Sequence, residues 1–508
     1  MTKTSLLLVL VACTGDTGPA GPGGLDPALS PIEKAYAGVG GKDALDTTRS
    51  FRISASGERL MTLEGYVPED GAHPISTFTS VTTTDLDGRL RIDYARTIPL
   101  FGAMKQYSVI LDGTRGAIEG VESVFGTPGG PLSSDRWAAT RRQQRLLNPV
   151  LILHDIEDGV LDARDAGVAL RDGQLRHRIE VADPAGPISL FVDRFSGEIV
   201  ELATIENDYV AGDTPVEVHY QGWRTWDDGA LKFPADVIIA VGGEPAHAER
   251  RDAIVTDGPV SDATFALPAG DYSHSEPDAA RGARNGQFHE SFAGLGVPLD
   301  GLQTFVEAQQ LGNGVWHLRG GSHHSLVVEQ ANGVVVIEAP LYEARAQALY
   351  AWIKQNIPTK SVTHVVATHH HRDHVGALRT FVARGARIVV GAAARPYFAR
   401  AFRAARTLEP DELSQSPRSA VFDVVAPNTT FVIADAARPV RVVAIESTHA
   451  ADMLVAYVPS TKTVFVSDIY SPGLPPNPAG VVELKAGIAG LDVTQIAGGH
   501  GIVGPVPQ

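Results

Sequence analysis

One cysteine, Cys13, is all that the 508 residues contain, so no intramolecular disulfide can form. Long apolar runs are equally scarce: none reaches the roughly 18 residues that a membrane-spanning helix needs. Positive charge is in deficit, with 43 Lys and Arg against 59 Asp and Glu, for a formal net charge of −16. So acidic a chain repels phosphate backbones, which excludes nucleic acid as an expected partner. What is present is a globular composition, 44% hydrophobic and 20% charged, with ample material for a core. The length suggests two or three domains rather than one.

The first residues, MTKTSLLLVLVAC, carry Lys3 and then a short apolar run ending in Leu10-Val11-Ala12-Cys13. This stretch resembles the lipobox of bacterial lipoproteins, where signal peptidase cuts before the cysteine and the thiol is lipidated. The plainer reading is a secretory signal peptide with an incidental cysteine. The resemblance implies a signal peptide over residues 1–12, lipidation of Cys13, and membrane contact through that lipid. Thr14 is not the aspartate associated with inner-membrane retention, so the implied location is the bacterial cell envelope, at the outer membrane, on its periplasmic or surface face. Residues 13–26 place Gly15, Gly18, Gly21 and Gly24 at a collagen-like spacing. Three triplets cannot hold a triple helix, and Gly/Pro-rich sequence builds no core, so this is expected to be a flexible tether.

Residues 27–270 are expected to be β-rich. RSFRISASGERLMTLEGYV alternates as half-buried strands do. ISLFVDRFSGEIVELATIE holds two apolar runs around Ser196-Gly197, and VEVHYQGWRTWDDGALKFPADVII repeats this around Asp227-Asp228-Gly229. One helix is expected near SDRWAATRRQQRLLNPVLILHD. Strands and turns dominate, which suits a curved antiparallel sheet. GGKDALDTTRSFRISASG, LFVDRFSGEIVE, LKFPADVII and DATFALP resemble the half-barrel of periplasmic lipoprotein-carrier proteins, a sheet wrapped around a helix that often presents an apolar cavity. No catalytic constellation is visible here; His154, His177 and His219 are scattered, as structural histidines usually are.

Polar and small residues then suggest a linker over 271–300. Residues 301–508 change character. Strands are expected in GVWHLRGG and in HSLVVEQANGVVVIEAP around Asn332-Gly333. A helix follows in YEARAQALYAWIKQN, with Ala344, Ala348, Leu349, Trp352 and Ile353 on one face, stopped by Pro358. VTHVVATH is a strand, VGALRTFVARG a helix, ARIVVGA a strand and RPYFARAFRAA a helix. Three strands, PVRVVAIESTH, MLVAYVPS and TVFVSDIY, precede a last helix in GVVELKAGIAGL. Two β-rich portions with interleaved helices suit a four-layer αββα sandwich, and the whole chain an α+β or α/β two-domain protein.

The chemistry concentrates in VVATHHHRDHVGA. In extended chain, residues i and i+2 point the same way, so His369 and His371 can grip one ion while His370 points elsewhere. Asp373 and His374 are displaced from that pair, which suits a second ion. A stable site needs more ligands, about four for zinc. His449, Asp468 and His500 each stand where a strand stops and a loop begins.

This pattern resembles the metallo-β-lactamase superfamily, whose signature is H-x-H-x-D-H followed by a distant His, Asp and His. The resemblance covers about Gly312 to Pro507. It implies that His369, His371 and His449 hold one metal, that Asp373, His374 and His500 hold another, and that Asp468 bridges both. The implied cofactors are two divalent ions, zinc first, with iron or manganese as alternatives. Two departures bear on substrate loops: Glu338-Ala339-Pro340 replaces an early Asp-x-Gly, and Ser447-Thr448-His449-Ala450 replaces Gly-His-[Ser/Thr]. EAP and THHHxDH look like a branch sometimes linked to quinoprotein systems. His323 and His324, in GGSHHS, are candidates for the substrate side.

The resemblance implies hydrolysis of a small-molecule ester, thioester, lactone or lactam by a hydroxide bridging two metals, with Asp373 orienting it and shuttling its proton. Arg372 could pin a nearby carboxylate. Two other classes compete: a mononuclear iron oxygenase of a sulfur substrate, using His369, His371 and a carboxylate, and a lipid- or lipoprotein-binding module with a secondary metal domain. An apolar cavity in the first domain opening toward the metals would favour a lipidic substrate, and a filled sheet a spacer.

Overall fold

The computed structural model describes residues 24–227, 229–272, 276–299 and 304–508; Cys13, the expected signal peptide and most of the expected tether lie outside them. Among the described residues, the first half is built on an open twelve-stranded antiparallel sheet. One edge is Arg115–Gly120 and the other Asp162–Arg171, and the two edges do not pair. The two runs of strands meet where Ser50–Thr62 pairs with Glu244–Thr256. The alternation read in Ser50–Thr62 places Phe51, Ile53 and Ala55 on the buried face. Ile188–Val192 and Ile199–Asp208 pair around the Ser196-Gly197 turn, where Gly197 has φ +75° and a Cβ would lie 2.1 Å from the Lys34 carbonyl oxygen of a neighbouring helix.

The single helix expected near SDRWAATRRQQRLLNPVLILHD is two, Ser134–Leu147 and Pro149–Glu157. Pro149 supplies no N–H and disfavours helical backbone at Asn148 before it, so the chain kinks there. Buried Arg251 donates to the Leu147 carbonyl at 2.7 Å and to Asn148 Oδ1 at 2.8 Å, satisfying the end that the break exposes. Leu146, Leu147, Val150, Ile152 and Leu153 pack against Ile179, Leu190, Val216, Val218 and Ile239. The covered face of the sheet is therefore filled with side chains.

The expected linker over 271–300 is corrected. Glu276–Arg284 and Gly286–Gly294 are helices packed on Ser134–Leu147. The small and polar residues are contact residues: a Cβ on Gly282 would lie 2.2 Å from the Asp135 carbonyl oxygen, and Arg281 donates to Asp135 at 2.7 Å. Asn285 and Gln287 hydrogen-bond Asn207 and Glu206 at 2.6 and 2.7 Å. Phe288 and Phe292 then pack with Leu341 and Tyr342 of the second half.

The second half is the expected αββα sandwich. A seven-stranded sheet runs in sequence order from Glu307–Gly312 to Phe422–Val425, and a six-stranded sheet from Thr430–Ile433 to Val503–Gly504. Val328, Val335, Ile337, Val366 and Val389 of the first meet Val442, Leu454, Ala456 and Phe465 of the second in the central core. Helices Glu343–Asn356, Leu378–Ala383 and Arg395–Ala401 cover the outside of the first sheet, and Pro478–Gly487 that of the second. The face of Glu343–Asn356 is rotated from the expected one: Arg345, Ala346, Leu349 and Ile353 are buried, while Trp352 is half-buried against Trp316. Leu63 and Val210 of the first half join the core under these helices, so the two halves share packing.

Candidate metal centre

Every candidate ligand stands at one end of the sandwich. His369 to His374 follow the strand Val362–Val366, His449 follows Val440–Ala444, Asp468 follows Thr463–Val466, and His500 follows Gln495–Gly498. Apolar strands bury their length and leave the polar residues where the chain emerges.

Two clusters result. His369, His371, His449 and Asp468 form one, and His323, Asp373, His374 and His500 the other, the candidate donor atoms in each lying within 4.8 Å of one another. Asp468 joins them. Its Oδ2 lies 3.3 Å from His369 Nε2 and 3.1 Å from His449 Nε2; its Oδ1 lies 3.0 Å from both His374 Nε2 and His500 Nε2. His371 turns Nδ1 inward, 3.9 Å from Asp468 Oδ2.

The outward ring nitrogens are held by other groups. His371 Nε2 donates to the Gly65 carbonyl at 3.0 Å, and His500 Nδ1 to the Ser322 carbonyl at 2.7 Å. His374 Nδ1 meets Glu338 Oε2 at 3.1 Å, and Glu338 Oε1 accepts from the Thr368 hydroxyl at 2.6 Å. A proton fixed on the outer nitrogen leaves the inner one a lone pair, which metal ligation requires. His370 is not a ligand candidate: its nitrogens meet Asp452 at 2.6 Å and the Gly65 carbonyl at 3.1 Å.

Burial and charge push in opposite directions here. Burial, then neighbouring His449, lowers His371 to about 3, and burial, then His500, lowers His323 to about 4. Burial also drives His369 well below its ordinary value. Around His374, burial is outweighed by Asp373, Asp468 and Glu338, which push its pKa well above the ordinary value. Burial opposes ionisation of Asp468, yet His374 and His369 hold it well below the carboxylate range. The centre therefore combines imidazoles that burial keeps neutral, at His369, His371 and His323, with carboxylates that draw positive charge onto His374.

Divalent ions fit this set. Asp373 Oδ1 is buried with no hydrogen-bond partner, and the inward Nε2 atoms of His369 and His374 have only the Asp468 oxygens beside them in poor hydrogen-bond geometry; such atoms are costly unless something binds them. Nitrogen and carboxylate donors suit zinc and neighbouring first-row metals.

The first half reaches into this centre, which its scattered histidines gave no reason to expect. The loop after Ser50–Thr62 supplies the Gly65 carbonyl and Glu64, whose Oε2 lies 3.8 Å from His371 Nδ1. Arg372 donates to the Thr62 carbonyl at 3.1 Å and to Asp208 at 3.0 Å, the pinned carboxylate anticipated for it. Of the substitutions read as affecting substrate loops, Glu338 instead lies fully buried behind His374. His323 is buried in the second cluster rather than on a substrate face. His324 is structural: its Nε2 donates to the Gly501 carbonyl at 2.9 Å, fastening the loop that carries His500. His219 groups with Asp172 and Glu201, but Arg171 already pairs with Glu201.

Residues 318–488 match the family model described as Metallo-beta-lactamase superfamily. The match ends before His500, which the fold brings into the centre. Among solved structures, the chain is similar to a metallo-β-lactamase from Pontibacter korlensis at 19% identity, over 40% of this chain and 94% of that one, with a TM-score of 0.28. It is also similar to a metallo-β-lactamase with an HARLDQ motif from Cronobacter sakazakii at 16% identity, over 39% of this chain and 74% of that one, with a TM-score of 0.30. No curated protein matches the chain. The C-terminal part is thus a domain of the metallo-β-lactamase superfamily, whose members are generally metal-dependent hydrolases or related enzymes.

Proposed function

We propose that this protein is a dinuclear metal-dependent hydrolase that cleaves an ester, thioester, lactone or lactam of an envelope small molecule, tethered to the membrane by a lipid on Cys13. The observation that carries the enzymatic reading is the sharing of Asp468 between two donor clusters, one oxygen toward each. Two divalent ions held this way would activate water and polarise a carbonyl at neutral pH.

The protein's own groups divide the remaining work. His449 and His500 have the most exposed side chains of the seven expected ligands, at 29% and 22%, so substrate enters on their side. Asp373 Oδ1, buried without a partner, is the atom to take the proton from the attacking water and return it to the leaving group. Glu64 and the Gly65 carbonyl wall the centre beside His371, which makes the first domain part of the site. The ionised carboxylates of Asp373 and Asp468, on a chain of net charge −16, favour a neutral acyl substrate over a phosphodiester.

The filled face of the first domain weighs against lipid carriage as the main function. The second donor cluster weighs against a mononuclear oxygenase. The test is metal content of a soluble form beginning after Cys13, beside Asp373→Asn, followed by thioesters, lactones and β-lactams. Two zinc ions, with the second loosened in Asp373→Asn, and turnover on one substrate class support the reading. One tightly held iron would sink the two-metal mechanism, and no metal would mean that the ligand set does not assemble.

A further inference from the structure

We propose that His323 is itself a ligand of the second ion, making five protein donors with Asp373, His374, His500 and the shared Asp468. This inference rests on the dinuclear reading above and adds a ligand that the H-x-H-x-D-H pattern does not contain. His323 comes from the other side of the sandwich end, on the loop between Val315–Arg319 and Ser325–Gln330. Only tertiary structure brings it to Asp373, fifty positions along the chain.

The argument is geometric. Two donors on one ion, each about 2.0–2.1 Å from it, stand about 3 Å apart when adjacent and about 4 Å apart when opposite. His374 and His500 lie 3.0 Å from Asp468, and His374 lies 3.5 Å from Asp373. His323 Nε2 lies 2.9 Å from Asp373 Oδ2, an edge of the same kind. Its ring centroid is 4.3 Å from that of His500 and 4.8 Å from that of His374. Its other nitrogen is engaged by the Ser322 hydroxyl at 2.8 Å, so Nε2 is the atom left for the centre. The side chain is 3% exposed, too enclosed to meet substrate. Five protein donors also fit an ion that accepts six ligands, such as manganese or iron, better than a four-coordinate zinc.

The competing role is a hydrogen bond from His323 that only orients Asp373. A crystal structure of the full chain loaded with two cobalt ions separates the two, alongside chelator-competition titration of His323→Asn. We expect Nε2 at about 2.1 Å from the ion that Asp373 holds. In the variant, that ion should bind at least about tenfold more weakly while the other is unchanged. Nε2 at more than about 3 Å from the ion, well beyond a metal–nitrogen bond, would overturn the proposal whatever the variant does. An unchanged second affinity in the variant would overturn it as well. A parent chain that binds only one ion would overturn both this inference and the dinuclear reading, a result the first two outcomes cannot mimic.

Discussion

Arg372 Nη1 lies 3.0 Å from Asp208 Oδ2, a buried pair that ties the histidine loop to the sheet of the first domain. Asp208 also accepts from the backbone of Val210 and Ala211 at 2.8 and 2.7 Å. The residue before Asp373 is thus anchored outside its own domain, and the candidate metal centre and the domain interface are one structure.

Arg372→Ala should therefore cost stability as well as site geometry. Removing one partner of a buried pair leaves the other charge uncompensated, at about 3 kcal/mol. Urea unfolding should show a lower midpoint in Arg372→Ala, with a smaller drop in Arg372→Lys. An unchanged midpoint in Arg372→Ala would mean that the pair does not hold the domains.

Asp468→Ala should lose both ions, because each of its oxygens faces a different cluster. Elemental analysis of the purified variant should read well below one ion per chain, whereas Asp373→Asn should lose chiefly the second. Retention of one tightly bound ion in Asp468→Ala would contradict the shared-carboxylate arrangement.

Glu338→Gln tests the orientation of His374. The substitution removes the charge that holds Nδ1–H while keeping an acceptor near Thr368. Groups that orient metal-bound imidazoles are typically worth 10–100-fold in metal affinity. Competition titration should show the second ion weakened by about tenfold and the first unaffected. Equal weakening of both ions would place Glu338 outside this role.

Acid should destabilise the first domain through Glu249. Burial opposes its ionisation, but His247 at 3.5 Å and Arg251 at 3.1 Å hold its pKa down to about 2. A carboxylate depressed on folding stabilises fully above its unfolded pKa of about 4.3, and that stability is lost as pH falls toward the folded value. The loss amounts to roughly 3 kcal/mol across that window. Burial lowers the pKa of His247 too, which adds loss in the same direction as acid charges it. Denaturation midpoints compared at pH 7, pH 4 and pH 3 should fall less steeply in Glu249→Gln than in the parent. Parallel curves would show that Glu249 carries no such linkage.

Cys13→Ser tests the tether. In a bacterial host, the parent chain should incorporate labelled fatty acid and partition with membranes, and the variant should do neither. Labelling that persists in the variant would exclude Cys13 as the attachment point.

Much of the centre was legible because its signals are local. The i, i+2 spacing of His369 and His371 and the placing of His449, Asp468 and His500 at strand ends follow from strand geometry, whatever the rest of the chain does. The αββα order was legible for the same reason: apolar runs and Gly or Pro stops mark each element. By itself, then, the sequence determined the sandwich and pointed to seven residues that the fold brings together at one end of it. Tertiary structure decided what completes it. Glu64 and Gly65 carry no periodic or motif signal, Glu338 and His323 stand out in the sequence without showing what they touch, and all four roles depend on distances between segments up to 307 positions apart, as for Glu64 and His371. Gly282 and Asn285 were read as linker because small polar residues look alike in a mobile chain and in a close helix contact. Only the packing of Asp135 against Gly282 tells the two apart, since a residue without Cβ lets backbones approach to a distance that composition cannot encode.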